Sequence, residues 1–245
     1  MKNVKKKNVL VTGSSRGIGL EIGKTFLQND CNVIFTGRNK KKLVYKNSYF
    51  FKCDLTDETN INELFDFTNK IFNKKLDILV CNLGGGNYKP SISFSKNKWL
   101  EIYNLNFFST VLTIQRFLEL LENSNSPSIT CISSICGNAS IGCPIPYSTA
   151  KASLNHYVQN LSKQIANKNI RINSISPGNI LFKGSTWEKK ISKNSNNVSS
   201  YIKNNVPLNK IGEPKDISEM VLYLSSDSSK FITGSNIIID GGQIA

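Results

Sequence analysis

The most restrictive feature of this chain is an apolar run that passes without a spacer into a glycine-rich turn, and from there into a helical pattern. Residues 8 to 12, Asn-Val-Leu-Val-Thr, are β-prone and apolar enough to form a strand buried on both faces. Gly13-Ser14-Ser15-Arg16-Gly17-Ile18-Gly19 follows at once, and apolar side chains then recur at Ile22, Phe26 and Leu27. A turn of this kind lets backbone approach a phosphate, while the helix behind it offers amide donors and the positive end of its dipole. Glycines also close ordinary turns, and the spacing Gly-x-x-x-Gly-x-Gly differs from the common Gly-x-Gly-x-x-Gly. The position directly after the first strand therefore carries more weight than the glycines themselves.

The pattern then repeats. Strand-like runs occupy residues 32–36, 49–52, 78–81, 129–132, 171–175 and 236–240. Helical periodicity falls between them: through Ile61, Leu64, Phe65, Ile71 and Phe72, over one long amphipathic stretch from 99 to about 121, from Tyr147 to about 166, and over 214–224. The segment 182–205 is polar and helix-ambiguous. Strands alternating with helices from end to end predict an α/β fold of Rossmann type: a doubly wound parallel sheet with helices on both faces. No linker and no internal repeat interrupts the chain, so residues 1–245 read as one domain.

Composition excludes several classes. The apolar runs are too short to span a bilayer, and the basic N-terminus lacks the apolar segment of a signal peptide. A cytoplasmic protein is expected. Cys31, Cys53, Cys81 and Cys131 lie in or beside strand-like runs, where a reduced thiol behaves as a small hydrophobe. There is no Cys-x-x-Cys pair and only one histidine, His156, so no metal site is expected. The sequons at Asn138, Asn160 and Asn197 have no secretory context. The net charge of +14 is spread over scattered lysines, with short runs only at Lys5–Lys7 and Lys40–Lys42. A nucleic-acid binder would gather such charge on one element, with aromatics among it. Attraction for an acidic partner or a phosphorylated substrate is compatible with the charge.

A second stretch carries chemistry. Ser134 closes the strand-like run at 129–132, and Tyr147 and Lys151 stand four residues apart where a helix would start near Pro146. On that helix both side chains share a face. A loop folding back from Ser134 would bring a hydroxyl, a phenol and an ammonium to one point, which suits moving a proton at an oxygen. A phenol of pKa about 10 is a poor acid–base group near neutrality unless a cation stands beside it. Tyr-x-x-x-Lys on its own is equally an ordinary surface pair. At the end of the second strand, Thr36-Gly37-Arg38 has no acid to hold ribose hydroxyls. With Arg16 in the glycine turn, two guanidiniums suit a 2′-phosphate, so NADP(H) is expected in preference to NAD(H).

With Thr12-Gly13-x-x-x-Gly17-x-Gly19, Ser134 and Tyr147-x-x-x-Lys151 in one chain, the sequence resembles the short-chain dehydrogenases/reductases, including members that act as 3-oxoacyl-[acyl-carrier-protein] reductases. The Ser-to-Tyr spacing of 13 is one this family commonly shows. Asp54 falls where the family places an adenine-contacting Asp. Cys81-Asn82-Leu83-Gly84 resembles its Asn-Asn-Ala-Gly motif, Asn106 its catalytic Asn, Arg171-Ile172-Asn173 through Pro177-Gly178 its nicotinamide-side motif, and residues 234–242 its last strand and turn.

The resemblance implies a homo-oligomer, a tetramer or dimer, acting on a small-molecule or carrier-protein-bound carbonyl, with no nucleic acid or membrane as partner. Tyr147 would be the proton donor in reduction and Ser134 would bond the substrate oxygen. Lys151 would lower the Tyr147 pKa and bind the nicotinamide ribose, and Asn106 would hold a relay water. Cofactor contacts would come from Gly13, Ser15, Arg16, Gly17, Ile18, Gly19, Arg38, Asp54, Leu55, Asn82, Gly84, Tyr147, Lys151, Pro177, Gly178 and Ile180. The leading substrate is a 3-oxoacyl group on acyl-carrier protein. A sugar or amino-sugar derivative of surface-glycan synthesis is the alternative, suggested by the polar, Trp-containing stretch around Trp187. A cofactor-sensing regulator that has lost catalysis is disfavoured by the intact Ser, Tyr, Lys and Asn. Departures from the family pattern are Cys81 and Leu83 within the Asn82 motif, and Phe182 where many members carry Thr.

Overall fold

The computed structural model describes residues 4–39 and 45–245, so the Lys40–Lys42 run lies outside the described residues. Seven parallel strands form one sheet: β1 (Asn8–Val11), β2 (Asn32–Gly37), β3 (Ser48–Lys52), β4 (Ile78–Cys81), β5 (Ser128–Ile132), β6 (Arg171–Pro177) and β7 (Asn236–Ile239). Their order across the sheet is β3-β2-β1-β4-β5-β6-β7. The chain builds outward from β1 on one side, then crosses to β4 and builds outward on the other. That reversal leaves a crevice beyond the carboxyl ends of β1 and β4, where such sheets hold ligands.

The apolar, non-alternating strand sequences follow from helices covering both faces. On β1, Leu10 enters one core while Val9 and Val11 enter the other. The first core joins Ile34, Leu79 and Ile129 to α2 (Glu58–Phe72), α4 (Ser109–Glu122) and α5 (Ile145–Ile165) through Leu64, Phe117 and Leu154. The second joins Val33 and Phe35 to α1 (Gly17–Gln28) and α8 (Pro214–Leu224) through Phe26 and Val221. The helix α1 lies so close to the sheet that a Cβ at Gly23 would fall 2.0 Å from the Phe35 ring. Gly23→Ala is therefore expected to destabilise by about 1–3 kcal/mol, the usual cost of overpacking a filled core, despite alanine's better helix propensity. Urea unfolding of the variant checks this, and an unchanged midpoint would show that α1 can shift without cost.

Three local expectations change. The long amphipathic helix is not uniform: α3 (Lys96–Tyr103) passes through a π-helical turn, Asn104–Phe108, into α4. The wider turn directs Asn106 inward, where it is fully buried. The segment 182–205 forms two helices, α6 (Thr186–Lys193) and α7 (Ser195–Asn205), capped by Ser185 and Asn194. They bury a small cluster of their own, Val198, Ile202 and Val206, beside Trp187 and Tyr201. The last strand ends before Asp240, whose carboxylate accepts hydrogen bonds from the Gly242 and Ile244 amides and so turns the chain.

Candidate active site

The crevice is a cleft of about 930 Å³ that runs from the glycine turn, past Ser134, Tyr147 and Lys151, to α6. At its first end Gly13 and Gly17 adopt φ of +60° and +56°, the left-handed region that favours glycine. A Cβ at Gly13 would fall 2.9 Å from the Leu83 Cα. The turn is tied to its neighbours: the Gly13 amide donates to Thr36 Oγ1 at 3.1 Å, and Asn82 Nδ2 donates to the carbonyls of Thr12 and Gly13 at 3.1 and 3.0 Å. Asn82 thus holds the turn through its backbone, while Gly19 leaves the room that this amide needs. Gly13, Ser15, Arg16, Ile18, Arg38, Asp54, Leu55, Asn82, Gly84, Pro177, Gly178 and Ile180 all line the cleft.

The cofactor-side charges are already engaged. Arg38 pairs with Asp54 at 4.0 Å, and both are solvent-exposed. Arg16 Nη1 donates to the Gly184 carbonyl at 3.3 Å, linking the glycine turn to the loop before α6. The Phe182 ring packs on the same turn: a Cβ at Gly17 would lie 2.5 Å from it. The place of the family's usual Thr is thus taken by an aromatic face with no hydroxyl. The narrow backbone cradle at the helix N-terminus fits the pyrophosphate of a dinucleotide.

At the centre of the cleft, the loop after β5 folds back as the spacing predicts. Ser134 bonds the Tyr147 phenol, and its Oγ accepts from the Cys136 amide at 3.2 Å. In this structure the phenol is held above its ordinary pKa, not below it. Burial is the main cause, the Ser134 hydrogen bond opposes it, and the Tyr88 phenol adds to it. Lys151 is buried, and its Nζ donates to the Ile132 carbonyl at 3.0 Å. Loss of hydration lowers its pKa to about 8, opposed by the nearby thiols of Cys131 and Cys81.

Asn106 is bonded on every side to backbone. Its Nδ2 donates to Ile102 O at 3.0 Å and to Gly85 O at 3.2 Å, and its Oδ1 accepts from the Gly85 amide at 2.9 Å. It thereby fixes the Gly84–Gly86 loop, whose backbone lies against the Tyr147 ring; a Cβ at Gly86 would fall 2.9 Å from it.

Three features of the site were not anticipated. Cys136 and Cys143 form a disulfide, Cα–Cα 6.1 Å, that closes the loop between Ser134 and Tyr147. Spacing alone does not pair two cysteines, because the loop path decides whether they meet. The other four cysteines are free and buried, as expected. Tyr88 and Tyr201 also line the cleft. The position of Tyr88 just after Gly84-Gly85-Gly86 was an available signal, whereas Tyr201 lay in the segment whose structure was ambiguous. Among the described residues no group of three or more His, Cys, Asp or Glu is placed to hold a metal, and no helix is long and apolar enough to cross a membrane.

Known proteins share this fold. The protein-family model described as enoyl-(acyl carrier protein) reductase matches residues 13–243. The chain is 31% identical over 246 residues to the 3-oxoacyl-[acyl-carrier-protein] reductase FabG of Aquifex aeolicus, covering 96% of each chain. It superposes on an NADPH-bound short-chain oxidoreductase of Pseudomonas aeruginosa with TM-score 0.89 and 24% identity, covering 97% of this chain and 98% of that one, which speaks to the fold. It also superposes on a 7α-hydroxysteroid dehydrogenase complexed with NADH and 7-oxo glycochenodeoxycholic acid, with TM-score 0.88 and 27% identity, covering 98% and 95%. With a family match over nearly its whole length, and a glycine turn at the sheet's switch point in one cleft with Ser134, Tyr147 and Lys151, the chain belongs to the short-chain dehydrogenase/reductase family, the NAD(P)-dependent oxidoreductases that act on CH–OH groups.

Proposed function

We propose that the chain is an NADP(H)-dependent enzyme interconverting a ketone and a secondary alcohol, with Tyr147 as proton donor in the reducing direction. The observation that carries this is the gathering of Ser134, Tyr147 and a buried Lys151 in one cleft with the glycine turn. The nicotinamide, when bound, supplies the hydride. A phenol held above its usual pKa arrives protonated, as a donor must. Ser134 steadies the substrate oxygen as negative charge develops there. One Lys151 N–H is spent on Ile132 O, which leaves two donors for hydroxyls in the cleft. Asn106 positions the Gly84–Gly86 loop through its bonds with Gly85.

Arg38 and Arg16, with no acid closing β2, support NADP(H) over NAD(H). Arg38→Asp is expected to raise the KM for NADPH at least about tenfold, since a guanidinium–phosphate contact becomes a like-charge one. It should also narrow or invert the preference over NADH. Equal parental affinity for the two cofactors would remove this assignment.

For substrate, a 3-oxoacyl thioester on acyl-carrier protein is supported by the Aquifex relative and by the basic surface, which suits an acidic carrier. The Trp187–Tyr201 pair at the far end of the cleft favours a second reading, a sugar or amino-sugar derivative. A panel of acetoacetyl thioesters and keto-sugars, followed at the NADPH absorbance band, separates these readings. Oxidation of no alcohol and reduction of no ketone would overturn both. A homotetramer or dimer built through α3–α4 and α5 is supported by the exposed apolar side chains of Leu100, Phe108 and Ile145.

A further inference from the structure

The cleft does not end at the reacting groups. Trp187, Lys190 and Tyr201 line it and also line a second cavity of about 260 Å³ between α6 and α7. Trp187 and Tyr201 lie with ring centroids 5.4 Å apart and planes tilted by 36°, over buried Val198. Both rings are held in place. Trp187 and Tyr201 pack on the small cluster of α7, and the Tyr201 hydroxyl accepts from Gln243 Nε2 at 2.9 Å. The Lys190 ammonium sits over the Trp187 ring, 4.3 Å from its centroid, at the mouth of the cavity. Lys193 lines the same cavity, and no acidic side chain does so among the described residues. The nearest acid in sequence, Glu188, is taken up by the Gly184 amide.

Two ammoniums and a fixed aromatic face, with no carboxylate to neutralise them, suit an anion attached to a flat or ring-shaped group. Lysine binds phosphate as a point charge without needing a bidentate geometry. The wall itself is mainly the apolar faces of Trp187, Tyr201 and Val198, on which a flat group can stack while the ammoniums take its anion. We propose that this annex binds a phosphate carried on the substrate's tail, several bonds from the reacting carbonyl, so that the enzyme takes phosphorylated ketones in preference to neutral ones. The proposal rests on the reading of the cleft as a ketone-reductase site. The same chemistry is found in the phosphopantetheine arm of an acyl thioester and in the diphosphate of a nucleotide-linked sugar.

Calorimetric titration of the NADP⁺-saturated enzyme separates these sources without requiring turnover. The probes are 4′-phosphopantetheine against pantetheine, and uridine diphosphate against uridine. In at least one pair the phosphorylated member is expected to bind at least about tenfold more tightly, with an advantage that shrinks as salt is raised. The pair that shows it identifies the tail. The Lys190→Gln/Lys193→Gln double variant, both positions being exposed, should lose that advantage while its circular dichroism matches the parent's. Equal binding within both pairs would overturn the proposal, as would an advantage that survives the double substitution. Because binding is read directly, an enzyme that reduces no ketone yet discriminates phosphate would sink the reductase reading alone. One that reduces a ketone yet binds the two members of each pair equally would sink the phosphate annex alone.

Discussion

Tyr147→Phe is expected to lower turnover by at least about 100-fold, the contribution of a positioned general acid, while fold and NADPH affinity stay near parental. The exchange removes one hydroxyl and keeps the ring that packs on the Gly86 backbone. Its only other loss is the hydrogen bond with Ser134, and Ser134 still receives the Cys136 amide. A bare aromatic ring can hold a substrate but cannot protonate it. Steady-state reduction of any accepted ketone, with NADPH binding followed by fluorescence, decides the matter. Retention of more than about a tenth of the parental rate would exclude Tyr147 as the donor.

Lys151→Met is expected to act in opposite directions on activity and stability. Turnover should fall by about 100-fold or more, and NADPH should bind more weakly, because the ammonium is lost from the floor of the cleft. Stability at neutral pH should nonetheless hold or rise. Folding strips the Lys151 ammonium of water with one carbonyl as its hydrogen-bond partner, and its pKa falls from 10.5 to about 8. That depression corresponds to a cost of roughly 3 kcal/mol at pH 7, of which about 1 kcal/mol is given back when the Ile132 carbonyl loses its donor in the variant. A flexible apolar side chain of similar length fills the same space.

The pH dependence follows from the same shift. Between pH about 8 and 10.5 the folded lysine is neutral while the unfolded one still carries its proton. The unfolded state then binds more protons, so the Lys151 contribution makes the parent more stable as pH rises through that window. The Met variant lacks this rise. Urea unfolding of both proteins at neutral pH and near pH 10 measures the difference. A variant much less stable than the parent at neutral pH, or one with the same pH slope, would show that the buried ammonium does not carry this cost. The parent's activity should also decline above pH about 8, as the ammonium is lost.

These residues also mark how far the chain can be read without its structure. The seven strands, their alternation with helices and the glycine turn after β1 were legible because each is a local property: period, run length and the few conformations glycine permits. Ser134, Tyr147 and Lys151 were legible because a strand end, a short loop and one helical turn bring them together over only 18 residues. What the sequence left open depends on contacts between distant segments. Nothing near Asn106 tells that a π turn will aim its amide at Gly85 rather than leave it on a uniform helix. Nothing near Arg16 points to a carbonyl 168 residues away. The meeting of Cys136 with Cys143 depends on the path of their loop, and that of Trp187 with Tyr201 on how α6 packs against α7. The Lys151 pKa was out of reach for the same reason: its identity is in the chain, but the burial that moves it exists only once β4, β5 and α5 have closed around it.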